Sequence, residues 1–171
     1  MKTSVAKSAW NALWCLAAGL FVGCILKFFV VDILRIRGSS MEPALHDGQA
    51  VVLYKLAYGL AKPFGDTLMV QWAQPETGDV ILYLHENQLV VKRCVAVGGT
   101  SLEYSDDSEY TLLVGDQRFP LTAEQYHHMA QSHQVPENMV LAIGDNAPLS
   151  IDSRDYGFIP FQNILGKVIC R

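Results

Sequence analysis

Residues 88–97 read QLVVKRCVAV, a β-branched run bounded by Asn87 on one side and Gly98-Gly99 on the other. Such a run is a strand closed by turn residues, not a helix. Its centre is unusual, because Lys92 and Arg93 interrupt the apolar pattern. Side chains alternate across a strand, so one of these two cations points toward the core side. Read alone, the pair also fits a surface position on an edge strand.

Working outward, similar short segments recur: QAVVLYKL (49–56), GDVILYL (78–84), YTLLVG (110–115), NMVLAIG (138–144) and ILGKVIC (164–170), separated by Pro, Gly, Asn and Asp. They predict a mainly β domain over 32–171. EQYHHMAQS, Glu124 to Ser132, is the one stretch there that predicts a short helix. Residues 101–134 are more polar and acidic, as in EYSDDSEY, and predict an insertion carried on a core of 32–100 and 135–171.

Toward the amino terminus the pattern changes. From Ala9 to Val31 only Asn11 and Lys27 interrupt an apolar run, which as a helix rises about 34 Å and crosses a hydrocarbon core. Residues 9–31 are expected to be a retained transmembrane anchor in a lipid bilayer, preceded by a short tail, 1–8. A removable signal peptide would end in a small-residue cleavage site, whereas FFVVDILRIR follows here; lipidation at Cys24 would leave ILKFFVV at the new terminus. Lys2 and Lys7 before the run are matched by Arg35 and Arg37 after it, so charge alone does not orient the span.

The 171 residues are 50% hydrophobic and 18% charged, which excludes a disordered chain, and the net charge of -4 with scattered Lys and Arg excludes a phosphate-backbone binder. No nucleic-acid partner is expected. Cys15 and Cys24 fall in the apolar run as small hydrophobes, leaving only Cys94 and Cys170 as a possible pair. There is no Cys-x-x-Cys or His-Glu-x-x-His, and His127, His128 and His133 read as a solvated surface stretch, so neither metal nor cofactor is expected.

Three segments carry chemistry. RGSSMEPAL (37–45) places Ser39 and Ser40 just beyond the anchor. A hydroxyl nucleophile needs a base, and no histidine sits in a relay context. A lysine drawn out of water is a candidate: bringing its pKa from about 10.4 to about 7.5 corresponds to roughly 4 kcal/mol against the charged form. AIGDNAPLSIDSRDYGFIP (142–160) packs Asp145, Asn146, Ser150, Asp152, Ser153, Arg154 and Asp155 between apolar runs, the composition of a loop held by hydrogen bonds and an ion pair. Its spacing is not that of an EF-hand, and Arg154 among the carboxylates disfavours a divalent cation.

Together GSSMEPAL, VVKRCVAVGG and GDNAPLSIDSRDYGFIP resemble the serine, lysine and third boxes of the type I signal peptidases. YKLAYG, PETGDVILY and VPENMVLAIGDN extend the likeness, in order, across most of 36–168. The resemblance implies a membrane-bound serine endopeptidase that removes signal peptides from exported preproteins. It implies antiparallel sheets, a cytoplasmic amino terminus, and a catalytic domain outside the bacterial cytoplasmic membrane. It makes Ser40 the nucleophile, a choice over Ser39 that local chemistry does not make, and Lys92 the general base. Ser150 would orient the amine, Asp152 and Arg154 would form a structural ion pair, and Asp145 would be a further supporting carboxylate. Ile36, Leu45 and Val91 fall where the family lines its substrate pockets, and the Ser40 N–H would serve the oxyanion hole.

The sequence departs from the family pattern at Gly38, where some members carry a serine that completes the oxyanion hole, at Ala44 in place of threonine, and in NAPLS. Two other readings stay open at this point. One is a serine-lysine peptidase dedicated to a single secreted or conjugative-transfer precursor; the other is an anchored, non-catalytic β-domain that binds a periplasmic partner.

Overall fold

The computed structural model describes residues 2–62, 67–107 and 109–169. Helix α1, Lys2–Ile25, continues as a π-helical turn, Leu26–Val30. Trp14, Leu16, Leu20, Phe21 and Phe28 are all exposed, so the helix is apolar on every side. Leu13–Val30 is long and apolar enough to cross a membrane.

Beyond the helix the chain is mainly β. The strands are β1 (Val31–Arg35), β2 (Ala50–Tyr54), β3 (Gly59–Ala61), β4 (Leu68–Gln71), β5 (Val80–His85), β6 (Gln88–Val97), β7 (Glu103–Ser105), β8 (Thr111–Val114), β9 (Gln117–Pro120), β10 (Met139–Ile143), β11 (Ile159–Pro160) and β12 (Ile164–Ile169). Seven of them form one antiparallel sheet in the order β1-β2-β12-β5-β6-β10-β11. β3 pairs with β4, and β7-β8-β9 form a separate small sheet.

Strand β5 explains where the core sits. Val80 and Leu82 pack with Ile36, Met41 and Leu53, whereas Ile81 and Tyr83 pack with Cys94, Ala142 and Phe161. Both faces of the strand are covered, hence its unbroken apolar VILY. The β5–β6 turn is the two-residue Glu86-Asn87, both at positive φ (47° and 62°), a geometry that matches the twist of the paired strands. This tight turn sets the register: Leu82 opposes Val91, Ile81 opposes Lys92 and Val80 opposes Arg93.

Residues 101–134 hold β7, β8, β9 and helix α2 (Ala123–Met129), and a bridge between Ser101 and Gln134 joins their two ends. Leu112, Val114 and Met129 pack with Val95, Leu141 and Ile143 of the main sheet. Helix α2 is shorter than the sequence predicts. A Thr122–Gln125 capping box starts it. It stops before Ser132 because the chain there turns back to pair, with Leu102 N–H donating to the His133 carbonyl and Val135 N–H to that of Thr100. Six strands (β1, β3, β4, β7, β9 and β11) lie outside the segments read as strands from sequence. β1 escapes because its residues continue the apolar run of α1 without punctuation. His127, His128 and His133 are exposed. Cys15 and Cys24 are exposed on α1 and Cys94 is buried; Cys170, and with it the Cys94–Cys170 option, lies outside the described residues.

Candidate active site

The register of the β5–β6 hairpin puts Lys92 on the face of Val90 and Cys94, where it is 3% exposed. Arg93 goes to the other face and closes on Asp145 with two hydrogen bonds, Nε to Oδ1 at 2.7 Å and Nη2 to Oδ2 at 2.6 Å. The ambiguity between the two cations is therefore resolved by a turn: a one-residue slip would exchange their places. Lys92 Nζ donates to Ser150 Oγ at 2.8 Å, and Ser150 Oγ donates to Asp152 Oδ2 at 2.6 Å. Because the Ser150 proton is committed to the carboxylate, its oxygen can only accept from the amine. That fixes one N–H of Lys92 and leaves a neutral amine's lone pair to point elsewhere.

Desolvation pushes the Lys92 amine below the ordinary lysine range; the Asp152 charge pulls it back up, and the Arg154 charge adds to the lowering. The result is an amine that loses its proton more readily than a surface lysine.

Asp152 is fully buried and caps the single-turn helix α3, Ser153–Tyr156. Five donors converge on its carboxylate: Gly144 N–H at 3.0 Å, Ser150 Oγ, Arg154 N–H at 3.1 Å, Arg154 Nε at 2.9 Å and Arg154 Nη2 at 2.9 Å. Burial alone would raise its pKa, but the bonds from Arg154, Gly144 and Ser150 hold it below the usual carboxylate range. Arg154, 2% exposed, also donates to the carbonyls of Pro120, Ala147 and Ser150. The buried pair thus has nearly every lone pair and proton occupied, which is the condition for burying charge at tolerable cost.

Ser39 and Ser40 lie in the loop between β1 and β2, after Gly38 at φ +83°. The Gly38 N–H donates to Asp47 Oδ1 at 2.8 Å. Asn146 ties this loop to the third segment: its N–H donates to the Ser40 carbonyl and its Nδ2 to the Ser39 carbonyl, each at 3.0 Å. Between them sits Gly144. A Cβ on it would lie 2.5 Å from the Ser40 carbonyl oxygen and 2.8 Å from Ser150 Cβ, with Ser150 Oγ closer still. One glycine therefore separates the Ser40 backbone from the hydroxyl that holds Lys92. Ser40, but not Ser39, lines a cleft of about 690 Å³ together with Ile36, Leu82, Val90 and Val91.

The fold brings Ser40, Lys92, Ser150, Asp152 and Arg154 into one neighbourhood. Asp145 stands apart, occupied by Arg93 on the opposite face of β6. Ile36 and Val91 line the cleft, whereas Leu45 is fully buried beneath it with Ile36 and Met41 and is not among the lining residues. Gly144 and Asn146 acquire positions that residue reading does not give them: Asn146 reads as one more polar loop residue, and Gly144 as a strand end. The only sequence signal was their adjacency in GDN, directly after the apolar run of β10. Among the described residues the hydrogen bond of Lys92 goes to Ser150 rather than to Ser40.

A family model described as signal peptidase, peptidase S26, matches residues 8–171. A Synechocystis protein named "Probable signal peptidase I-1" is 32% identical over 160 residues, covering 91% of this chain and 78% of that one. "Signal peptidase I" of Pseudomonas aeruginosa is 25% identical, covering 86% of this chain and 66% of its own length. A crystal structure of a signal peptidase I from Enterococcus faecalis shares 26% identity and covers 56% of this chain and 97% of its own, with a TM-score of 0.41, too loose a superposition to bear on the fold.

Proposed function

The chain belongs to the signal peptidase family, peptidase S26, and on that premise we propose that Ser40 is its nucleophile and Lys92 its general base. The enzyme is a serine endopeptidase that removes signal peptides from exported preproteins. The observation that carries the residue assignment is the buried Lys92 amine, aligned by Ser150 on Asp152, across Gly144 from the serine that lines the cleft.

In acylation, neutral Lys92 takes the Ser40 hydroxyl proton as Oγ attacks the scissile carbonyl; the resulting ammonium then gives that proton to the departing amine, leaving the signal peptide as an ester on Ser40. In deacylation the same amine takes a proton from water, whose oxygen cleaves the ester, and returns it to Ser40 Oγ. The Ser40 N–H is the oxyanion donor, and the engagement of the Gly38 N–H with Asp47 leaves that neighbouring amide occupied. Asp152 and Arg154 act on the amine only through Ser150 and are positioning residues.

The shallow apolar lining of Ile36, Leu82 and Val91 favours small side chains just before the cut, as in Ala-X-Ala. Helix α1 is the anchor in the bilayer, and the β domain works on the outer side of the bacterial cytoplasmic membrane, where exported chains emerge.

The test is to incubate the full chain in detergent with a model preprotein and map the new amino terminus. Wild type gives one cut after a small residue. Ser40→Ala and Lys92→Arg, folded by circular dichroism, give none, because a guanidinium keeps its proton above pH 12 or so. Folded Lys92→Arg with more than about a tenth of wild-type turnover, a barrier change under roughly 1.4 kcal/mol, overturns the general-base role. Equal cutting after Phe overturns the pocket, and protection of the β domain from protease added outside spheroplasts overturns the topology.

A further inference from the structure

The carboxyl end of a helix leaves backbone carbonyls without helical partners, and near a bilayer little water is available to replace them. At the end of α1 and its π-turn, three of these carbonyls go to one residue. The Lys55 N–H donates to Val30 O at 2.9 Å, and the Lys55 ammonium donates to Lys27 O at 3.1 Å and Phe28 O at 3.4 Å. The same ammonium pairs with Asp32 Oδ2 at 2.8 Å, on the first turn of chain after the helix. A cation at this position also complements the negative end of the helix dipole.

Lys55 is itself firmly seated. It follows β2, and β12 presses against it: a Cβ on Gly166 would lie 2.6 Å from the Tyr54 carbonyl and 3.2 Å from Lys55 Cα. β12 pairs with β5, and β5 with β6, which bears Lys92. A short line of hydrogen-bonded strands therefore runs from the membrane helix, through one lysine, to the cleft. Lys55 belongs to none of the groups around Ser40, and Phe28, Val31 and Ile33 beside it are exposed, as residues facing an apolar phase would be.

We propose that Lys55 is a positioning residue, a brace between the membrane helix and the sheet that holds the cleft at a fixed height above the bilayer. This rests on the reading of α1 as the anchor and of Ser40 as the nucleophile. The brace has a chemical consequence for a membrane-embedded substrate. The apolar part of a signal peptide is held at one depth, so the height of Ser40 selects which peptide bond is cut. A soluble peptide meets no such restriction.

The full chain in liposomes tests this, with preproteins whose Ala-X-Ala segment is moved outward from the apolar segment one residue at a time. Wild type cuts with a sharp optimum in spacing. Lys55→Met cuts the best-placed preprotein about tenfold more slowly and loses the optimum, while its turnover of a short soluble peptide stays within twofold of wild type. Lys55→Arg, which can still donate to the carbonyls and to Asp32, keeps the optimum. Independently of activity, amide hydrogen exchange across 26–35 speeds up about tenfold in Lys55→Met and not in Lys55→Arg. An unchanged spacing optimum in Lys55→Met, an equal loss on soluble and membrane substrates, or unchanged exchange overturns the brace. Cutting that persists in Ser40→Ala, or exchange showing 13–30 open to water in liposomes, overturns instead the reading beneath it.

Discussion

Gly144→Ala is the sharpest probe of the site, because it alters no titrating group and no hydrogen-bonding atom. Its backbone is outside the left-handed region, so alanine meets no conformational penalty; the whole effect is steric. The new methyl would lie 2.5 Å from the Ser40 carbonyl oxygen and 2.8 Å from Ser150 Cβ, whereas carbon normally approaches oxygen or carbon no closer than about 3.3–3.6 Å. One neighbour must retreat by roughly 0.8–1 Å. Neither is the free end of a flexible side chain: the Ser40 carbonyl is held by the Asn146 N–H, and Ser150 is held between Lys92 and Asp152.

Either retreat separates the nucleophile from the base. A displacement of about 1 Å in a reacting pair costs on the order of a hundredfold in rate, or about 2.7 kcal/mol of barrier. Overpacking also costs about 1–3 kcal/mol of stability. The assay is turnover of a saturating soluble peptide by the purified enzyme, beside a thermal melt. Gly144→Ala is expected to stay folded, melt a few degrees lower, and lose kcat about a hundredfold with KM little changed, since the cleft is lined by other residues. A folded variant with kcat within threefold of wild type would refute the placement of Gly144 between Ser40 and Ser150 as a constraint on catalysis.

Turnover of wild type should rise with pH through the depressed Lys92 pKa, because only the neutral amine accepts the Ser40 proton; a flat limb on the alkaline side of neutrality contradicts it. Stability has a definite sign as well. The folded Lys92 pKa lies below its ordinary 10.5, so the unfolded chain binds more protons between the two values and stability rises with pH across that window. Lys92→Met should accordingly melt higher than wild type, with the gap widest below the folded pKa and closing toward pH 10.5; a gap that widens with pH shows the reverse linkage. Asp152→Asn strands the Arg154 charge in the interior and is expected to cost about 3–5 kcal/mol in chemical denaturation, and a loss under about 1 kcal/mol would show the pair is not needed. Ser150→Ala removes the acceptor that aligns Lys92, so kcat should fall steeply while Asp152 and Arg154 keep the fold; a kcat near wild type would show that the amine is aligned by something else.

Much of the β domain was legible because short-range patterns carry it. QLVVKRCVAV corresponds to β6 residue for residue, since β-branched alternation bounded by turn residues needs no distant partner to be read. β1 was not legible, because Val31 and Ile33 look like a continuation of the apolar run, and only pairing with Val52 and Tyr54 makes them a strand. The end of α2 was misjudged for a similar reason: its last turn is cut short by bonds to residues 100–102, some thirty positions away in the chain.

The sequence by itself determined the anchor-plus-β plan and, through the order of its three boxes, the family and its reaction, because these depend on composition, period and residue types at short spacing. Only the tertiary structure decided which members of each box meet. Lys92 rather than Arg93 is buried because a two-residue turn fixes the strand register. Asp152 rather than Asp145 holds the lysine's hydroxyl partner, because the loop after β10 turns one carboxylate inward onto Ser150 and Arg154 and leaves the other to Arg93. Leu45 supports the cleft from beneath instead of lining it. Each of these outcomes depends on contacts between residues tens of positions apart, and local pattern carries no information about them until the sheet has closed.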